Sequence, residues 1–292
     1  MNSATAAANS VPPPLAAVRK VGAAITMQPH ADALIAEAAR FAERLNATLT
    51  LIHTGASHSE KFAFLDEIAQ RLPIPHEAHV IEAASDPANE LLRNAESAQI
   101  DLLVAGAFEG SALKRRRFLS LRARQLAERS RCSLLLVAHP RLDAHDFRRI
   151  VVITDFSDSA RLTCEQALWL AEKDAAELVT VISIHTPFMQ ARAKFGDRKE
   201  VARTREEEEL LLEEFVRGLP CCSRPVDWRV IDAGTGFAAC DFADAIAADL
   251  LVLPGRDHLG GRVLPMADWV LQVVPCSLWI IHERPAWKSA EK

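Results

Sequence analysis

The chain has 292 residues, 49% hydrophobic and 25% charged, with 34 Lys plus Arg against 39 Asp plus Glu. That length suits two domains, each large enough for its own core, and the mild acidic excess argues against a general nucleic-acid binder. The longest apolar runs, such as "IDLLVAGAF" and "CSLWII", fall short of the ~20 residues a helix needs to cross a bilayer.

Residues 1–19 are rich in Ala, Ser, Asn and Pro and lack the charged start and continuous apolar core of a secretory signal. They are expected to be disordered, and the protein cytoplasmic. From there, short β-branched runs alternate with longer amphipathic stretches, the pattern of βα units feeding a parallel sheet. Strands are expected near 21–26, 48–53, 77–82, 101–105 and 132–138. Between the first two, "ADALIAEAARFAERL" sets Leu34, Ala38, Phe41 and Leu45 on one helical face and leaves Glu37, Arg40 and Glu43 off it, so this helix faces the core. After a linker at 141–148, strands are expected near 150–154, 177–184, 226–231, 249–253 and 277–282. The acidic run in "RKEVARTREEEELLLEEFVRGL" reads as a solvated helix face.

One unit occurs twice. "DLLVAG" at 101–106 matches "DLLVLPG" at 249–255, and "CSLLLVAHPR" at 132–141 matches "CSLWIIHERP" at 276–285, a period of 276 − 132 = 144 residues. This is duplication of a whole domain, with the first expected over 20–140, the second over 149–283 and a tail at 284–292. The fold class is α/β: two tandem Rossmann-like or flavodoxin-like domains, each a five-stranded parallel sheet with helices on both faces. In a 3-2-1-4-5 strand order the chain direction reverses between strands one and four, and ligands sit in the crevice beyond the carboxyl ends of those strands. In the second copy this aims Thr154, Asp155 and Gly255 at one crevice.

"IVVITDFSDSA", "DLLVLPG" and the closing "VPCSLWII" together resemble the universal stress protein family in tandem form, over nearly all of residues 20–283. "DHLGGRVLPMADWVLQVVPCSLWII" is similar to the E-type tandem subgroup. The resemblance implies the 3-2-1-4-5 order, pairing of the two halves through their last strands as an intramolecular pseudo-dimer, and a role in stress survival without a known catalytic reaction. Nucleotide-binding members carry GxxG, nine residues, then Gly followed by Ser or Thr after strand four, where glycines let backbone N–H groups approach a triphosphate. In the second copy Gly255 matches the first glycine, but His258 stands at the second, and Leu264 and Pro265 fall at the last pair. In the first copy Gly106 is followed by Glu109 at the second glycine, with Leu119 and Ser120 at the last pair. Asp155 matches the family's nucleotide-contacting aspartate, and Met27 takes its place in the first copy.

The motif is therefore degenerate in both copies, and no cofactor is expected in the family's usual way. The glycines serve a tight exit from a buried strand. Retained ATP binding in the second copy would use Thr154, Asp155 and the loop of Gly255, Arg256, His258, Gly260 and Gly261. The expected partner is a small molecule or a protein, with no nucleic acid and no transmembrane segment.

Other features are weaker. "LKRRRF" at 113–118 is a short basic patch that reads as a solvated turn. His76 and His79 on one strand face opposite sides, and His53 and His58 add no metal-site spacing. The vicinal Cys221 and Cys222 are a candidate redox pair. No nucleophile elbow, CxxC, HExxH or Walker-type loop occurs, so an enzyme is not expected.

Overall fold

The computed structural model describes residues 18–25, 31–54, 76–81, 87–108, 117–143, 146–185, 203–233, 237–255 and 270–282, with positions 63, 67 and 70. The first half runs β1 (Lys20–Ile25), α1 (Ala31–Leu45), β2 (Thr48–Thr54), β3 (His76–Ile81), α2 (Pro87–Ser97), β4 (Leu102–Gly106), β5 (Arg117–Phe118), α3 (Leu121–Arg129) and β6 (Ser133–Val137). The second runs β7 (Arg149–Ile153), α4 (Asp158–Lys173), β8 (Leu178–His185), α5 (Arg205–Arg217), β9 (Val226–Asp232), α6 (Ala238–Ala245), β10 (Leu250–Pro254), β11 (Val273–Val274) and β12 (Ser277–Ile281). All ten expected strands are present. The segments 1–17 and 283–292 lie outside the described residues.

The ten long strands form one sheet in the order β3-β2-β1-β4-β6-β12-β10-β7-β8-β9. Each half is parallel in the order 3-2-1-4-5, and the halves meet where β6 and β12 pair antiparallel, Leu135 opposite Trp279. Two reciprocal hydrogen bonds flank that seam: Ala138 N–H donates to Ser277 Oγ and His282 N–H to Ser133 Oγ, each at 3.1 Å. The two-residue strands β5 and β11 add a small antiparallel tie between the halves.

The repeated Asp of "DLLV" has a structural duty. Asp101 Oδ2 accepts from Arg19 N and Lys20 N at 2.7 and 3.1 Å, and Asp249 Oδ2 accepts from Arg148 N and Arg149 N, both at 2.9 Å. Each carboxylate satisfies the free backbone donors where the central strand of its half begins.

Strand alternation sends side chains into two apolar layers, one on each face of the sheet. One contains Ile25, Phe41, Val152, Leu170 and Trp279, the other Ala24, Leu103, Leu134, Ile153 and Leu278. Both layers run across the seam. Leu34, Ala38 and Phe41 of α1 are buried as expected, but so is Glu37, 1% exposed, whose Oε1 accepts from Arg141 N at 3.3 Å. The acidic run in α5 is likewise only partly solvated: Glu208 shares a buried stripe with Leu212 and Phe215.

Candidate functional site

The switch point of the second half lies between β7 and β10, which pair in parallel with Val152 opposite Val252. Carried two and three residues further, that register sets Thr154 level with Pro254 and Asp155 level with Gly255. These strand ends form the rim of the expected crevice.

Its polar groups are engaged within the turn. Thr154 is buried; its N–H donates to Ile182 O at 2.9 Å and its Oγ1 accepts from Phe156 N at 3.0 Å, closing a hydroxyl turn around Phe156, whose φ is 66°. Asp155, exposed, accepts through Oδ1 from Ser157 N at 3.1 Å and Ser157 Oγ at 2.5 Å. Ser157 Oγ in turn accepts from Ala160 N at 3.1 Å as the N-cap of α4. The strand-to-helix turn is thus satisfied by its own side chains.

Gly255 N–H donates to Ile281 O at 2.6 Å. A Cβ there would stand 2.7 Å from Cγ and Nδ1 of His282, so the imidazole occupies the space that a missing side chain leaves open. In the first half a Cβ on Gly106 would meet nothing within 4 Å. The repeat counterpart of Gly255 is Ala107, whose N–H donates to Val137 O at 2.9 Å; there Ala138 holds the position of His282, so no ring stands opposite the side chain. Arg256, His258, Gly260 and Gly261 lie outside the described residues, as do Met27, His58, Glu109, residues 113–116, Leu264 and Pro265.

The strand register amends one sequence alignment. Val21 pairs with Leu102 as Ile150 pairs with Leu250, so Ile25 takes the place of Thr154, one residue from the match in which both "IT" pairs coincide. The apolar layers agree, since Ile25 and Val152 lie in one and Ala24 and Ile153 in the other. Of the other motif positions, Leu119 is buried and Ser120 caps α3, its Oγ accepting from Ala123 N at 3.1 Å.

A polar cluster that the sequence reading missed lies at the carboxyl end of β8. Glu208 Oε1 accepts from the hydroxyl of Ser183, and Glu208 Oε2 lies 2.7 Å from His185 Nδ1. The carboxylate stands between serine and histidine, so Ser183 donates to Glu208 and not to His185, unlike the Ser–His pair of a catalytic triad. The signal was the helical spacing of Glu208, Leu212 and Phe215.

His53 is 3% exposed with Nδ1 2.9 Å from Ile25 O, a core histidine tied to the neighbouring strand. Among the described residues no group of three His, Cys, Asp or Glu could hold a metal ion. Cys221 is exposed and Cys222 half-buried, both as free thiols. Burial, then hydrogen bonding and charge from Glu172, push the Cys222 thiol up to about 11, the reverse of what a reactive cysteine needs. Among the described residues no helix is long and apolar enough to cross a membrane.

A doubly wound parallel half-sheet whose strand order reverses at a switch point defines the flavodoxin-like class of α/β folds. Residues 146–282 match the model of the universal stress protein family. The chain superposes on a functionally unknown protein from Pseudomonas aeruginosa PAO1 with a TM-score of 0.68 at 18% identity, covering 92% of this chain and 94% of that one. A universal stress protein from Archaeoglobus fulgidus DSM 4304 superposes with a TM-score of 0.61 at 15% identity, covering 90% and 98%. At such identity these likenesses show the fold. No curated protein matches the chain in sequence.

Proposed function

We propose that the protein acts in stress response as a cytoplasmic, non-enzymatic tandem universal stress protein of the E-type, which binds a small molecule or a protein partner. Its two halves serve as an intramolecular pseudo-dimer, each covering the last strand of the other, so that one chain suffices. The observation that carries this reading is the second-half crevice. Thr154 and Asp155 are spent on the turn and on the α4 cap, and the ring of His282 fills the space over Gly255. A phosphate approaching the Gly255 backbone meets an imidazole and the exposed Asp155 carboxylate, an acceptor that repels anions. A ligand suited to this rim presents hydrogen-bond donors, which Asp155 accepts.

A second reading is an ATP-binding switch built on the second half, and the exposure of Asp155 level with Gly255 favours it. Isothermal titration of the full chain with Mg·ATP separates the two. The binding-protein reading expects no saturable heat that depends on Asp155 and no turnover of ATP. Saturable binding that Asp155→Ala abolishes overturns it in favour of the switch.

A further inference from the structure

Between α2 and α3 of the first half lies a cavity of about 260 Å³, lined by Asn89, Arg93, Glu96, Arg129 and Arg131 above a floor of Leu92, Ala95 and Cys132. Three guanidinium groups and one carboxylate give the lining a net charge of 3 − 1 = +2. Guanidinium is the planar fork that pairs with carboxylate and phosphate oxygens in bidentate fashion. The existing partners are replaceable: Arg131 reaches Glu96 at 3.4 Å and Arg93 reaches Glu90 at 3.2 Å, both in exposed ion pairs, a kind worth roughly 0–1 kcal/mol. Arg129 donates to Asn89 Oδ1 at 3.1 Å. Below them the floor is apolar. Cys132 is 1% exposed, and burial raises its thiol to about 11, which keeps it neutral.

The internal repeat supplies a control. Ile100 N bonds Ala95 O as Ala248 N bonds Ala243 O, and Ser133 N bonds Asp101 O as Ser277 N bonds Asp249 O, so the two copies align at these points. On that alignment Arg93, Arg129 and Arg131 correspond to Asp241, Val273 and Pro275, and Glu96 to Asp244. The helix that carries Arg93 and Glu96 in one copy thus carries Asp241 and Asp244 in the other, whereas Arg129 ends α3 where Val273 lies in β11, so Arg129 and Arg131 belong to a geometry of the first half alone. Neither the helix ends nor the sheet edge requires arginine at these places, and C-terminal helix dipoles alone would be met by one basic residue in the last turn.

We propose that the α2–α3 cavity of the first half is an anion site that takes a phosphate dianion, with the three arginines on its oxygens and any organic part of the ligand on the Leu92–Ala95–Cys132 floor. The site goes beyond the crevice reading and does not depend on it. Because the halves meet antiparallel, the cavity and the crevice open on the same edge of the sheet: Ser133, next to Cys132, accepts from His282, whose ring covers Gly255.

The test is an NMR titration of the arginine Nε–H signals of the full chain at constant ionic strength, with inorganic phosphate and phenyl phosphate as probes and chloride as the exchanged anion. The expected result is saturable shifts of the Arg93, Arg129 and Arg131 signals with both probes. Affinity should weaken about tenfold or more in Arg93→Gln and in Arg131→Gln, the loss expected when a charge-assisted hydrogen bond is removed, and stay unchanged in Asp155→Ala. All three arginines are exposed, so the substitutions leave the fold intact. Tighter binding of phenyl phosphate identifies an organic phosphate ester as the source, and equal affinity identifies free phosphate. Shifts that do not saturate, or that persist equally in both arginine variants, overturn the site.

Discussion

Gly106 ends β4 and Gly255 follows β10, one repeat position apart, and their surroundings differ. The Cβ of alanine at 255 would press on the proximal ring atoms of His282 at 2.7 Å, and the ring is buried with little room to swing aside. Gly255→Ala is therefore expected to cost about 1–3 kcal/mol, the range for overpacking a filled site. Gly106→Ala enters open space and is expected to be neutral or to stabilise by up to ~1 kcal/mol through the unfolded chain. Urea denaturation of both variants checks the contrast; equal effects would remove His282 as the reason for the glycine. The vicinal cysteines offer a second test. Cys221 is exposed, whereas Cys222 is half-buried, its thiol held near 11 and its Sγ accepting from Arg224 N at 3.4 Å. Timed alkylation at neutral pH should label Cys221 well before Cys222, since only thiolate reacts and only one site is open.

At the scale of elements, α5 shows how a charged sequence stays helical. Thr204 Oγ1 accepts from Glu207 N at 3.2 Å and Glu207 Oε2 accepts from Thr204 N at 2.8 Å, a reciprocal box that satisfies two donors of the first turn. Three acidic residues in that turn complement the positive end of the helix. Thr204→Ala is expected to cost about 1 kcal/mol in denaturant unfolding, and Thr204→Ser much less. Apolar runs marked the central strands of the large sheet, because burial on both faces of a parallel sheet demands continuous β-branched and leucine-rich segments, whereas the edge strand β9, VDWRVID, is only partly buried. Glu37 and Glu208 were misplaced for a specific reason. Periodicity scores an acid as solvent-facing, but each here lies on a buried stripe and has a partner from a distant segment, Arg141 N for one and Ser183 with His185 for the other. Partners remote in sequence leave no local trace. The crevice was legible only in outline: strand ends located Thr154, Asp155 and Gly255, whereas the His282 ring over Gly255 depends on two strands packing side by side.

The whole molecule is tied together away from the seam by an ionic cluster between α1 and the second half. Arg44 lies 2.8 Å from Asp174 Oδ1 and 3.0 Å from Asp146 Oδ1, and Arg40 lies 2.6 Å from Asp146 Oδ1. Phe41 packs beside it against Phe147 and Trp279, with ring centroids 6.1 and 6.0 Å apart. Burial dominates the charges. It pushes the Asp174 carboxyl up to about 6 against the pull of Arg44 and the Phe147 N–H, and it lowers Arg44 despite its acidic neighbours. Asp146, less buried, is held below the ordinary carboxylate range, chiefly by its hydrogen bond from Arg40. The sign for Asp174 follows from proton binding. Between the ordinary value of 3.8 and about 6 the folded chain keeps a proton that the unfolded chain has released, so this group's contribution to stability is greatest at the acid end and declines as pH rises through that window. Depressed carboxylates such as Asp146 act in the opposite sense, which makes a comparison with Asp174→Asn more informative than the profile of the native chain alone. Asparagine keeps an acceptor for Phe147 N–H, 2.8 Å away, but does not ionise. Urea midpoints measured across the window should therefore show native stability falling relative to Asp174→Asn as pH rises, then running parallel above it. A constant difference across the window would mean that folding does not raise the Asp174 carboxyl, and that the clamp between the halves is a charged ion pair throughout that range.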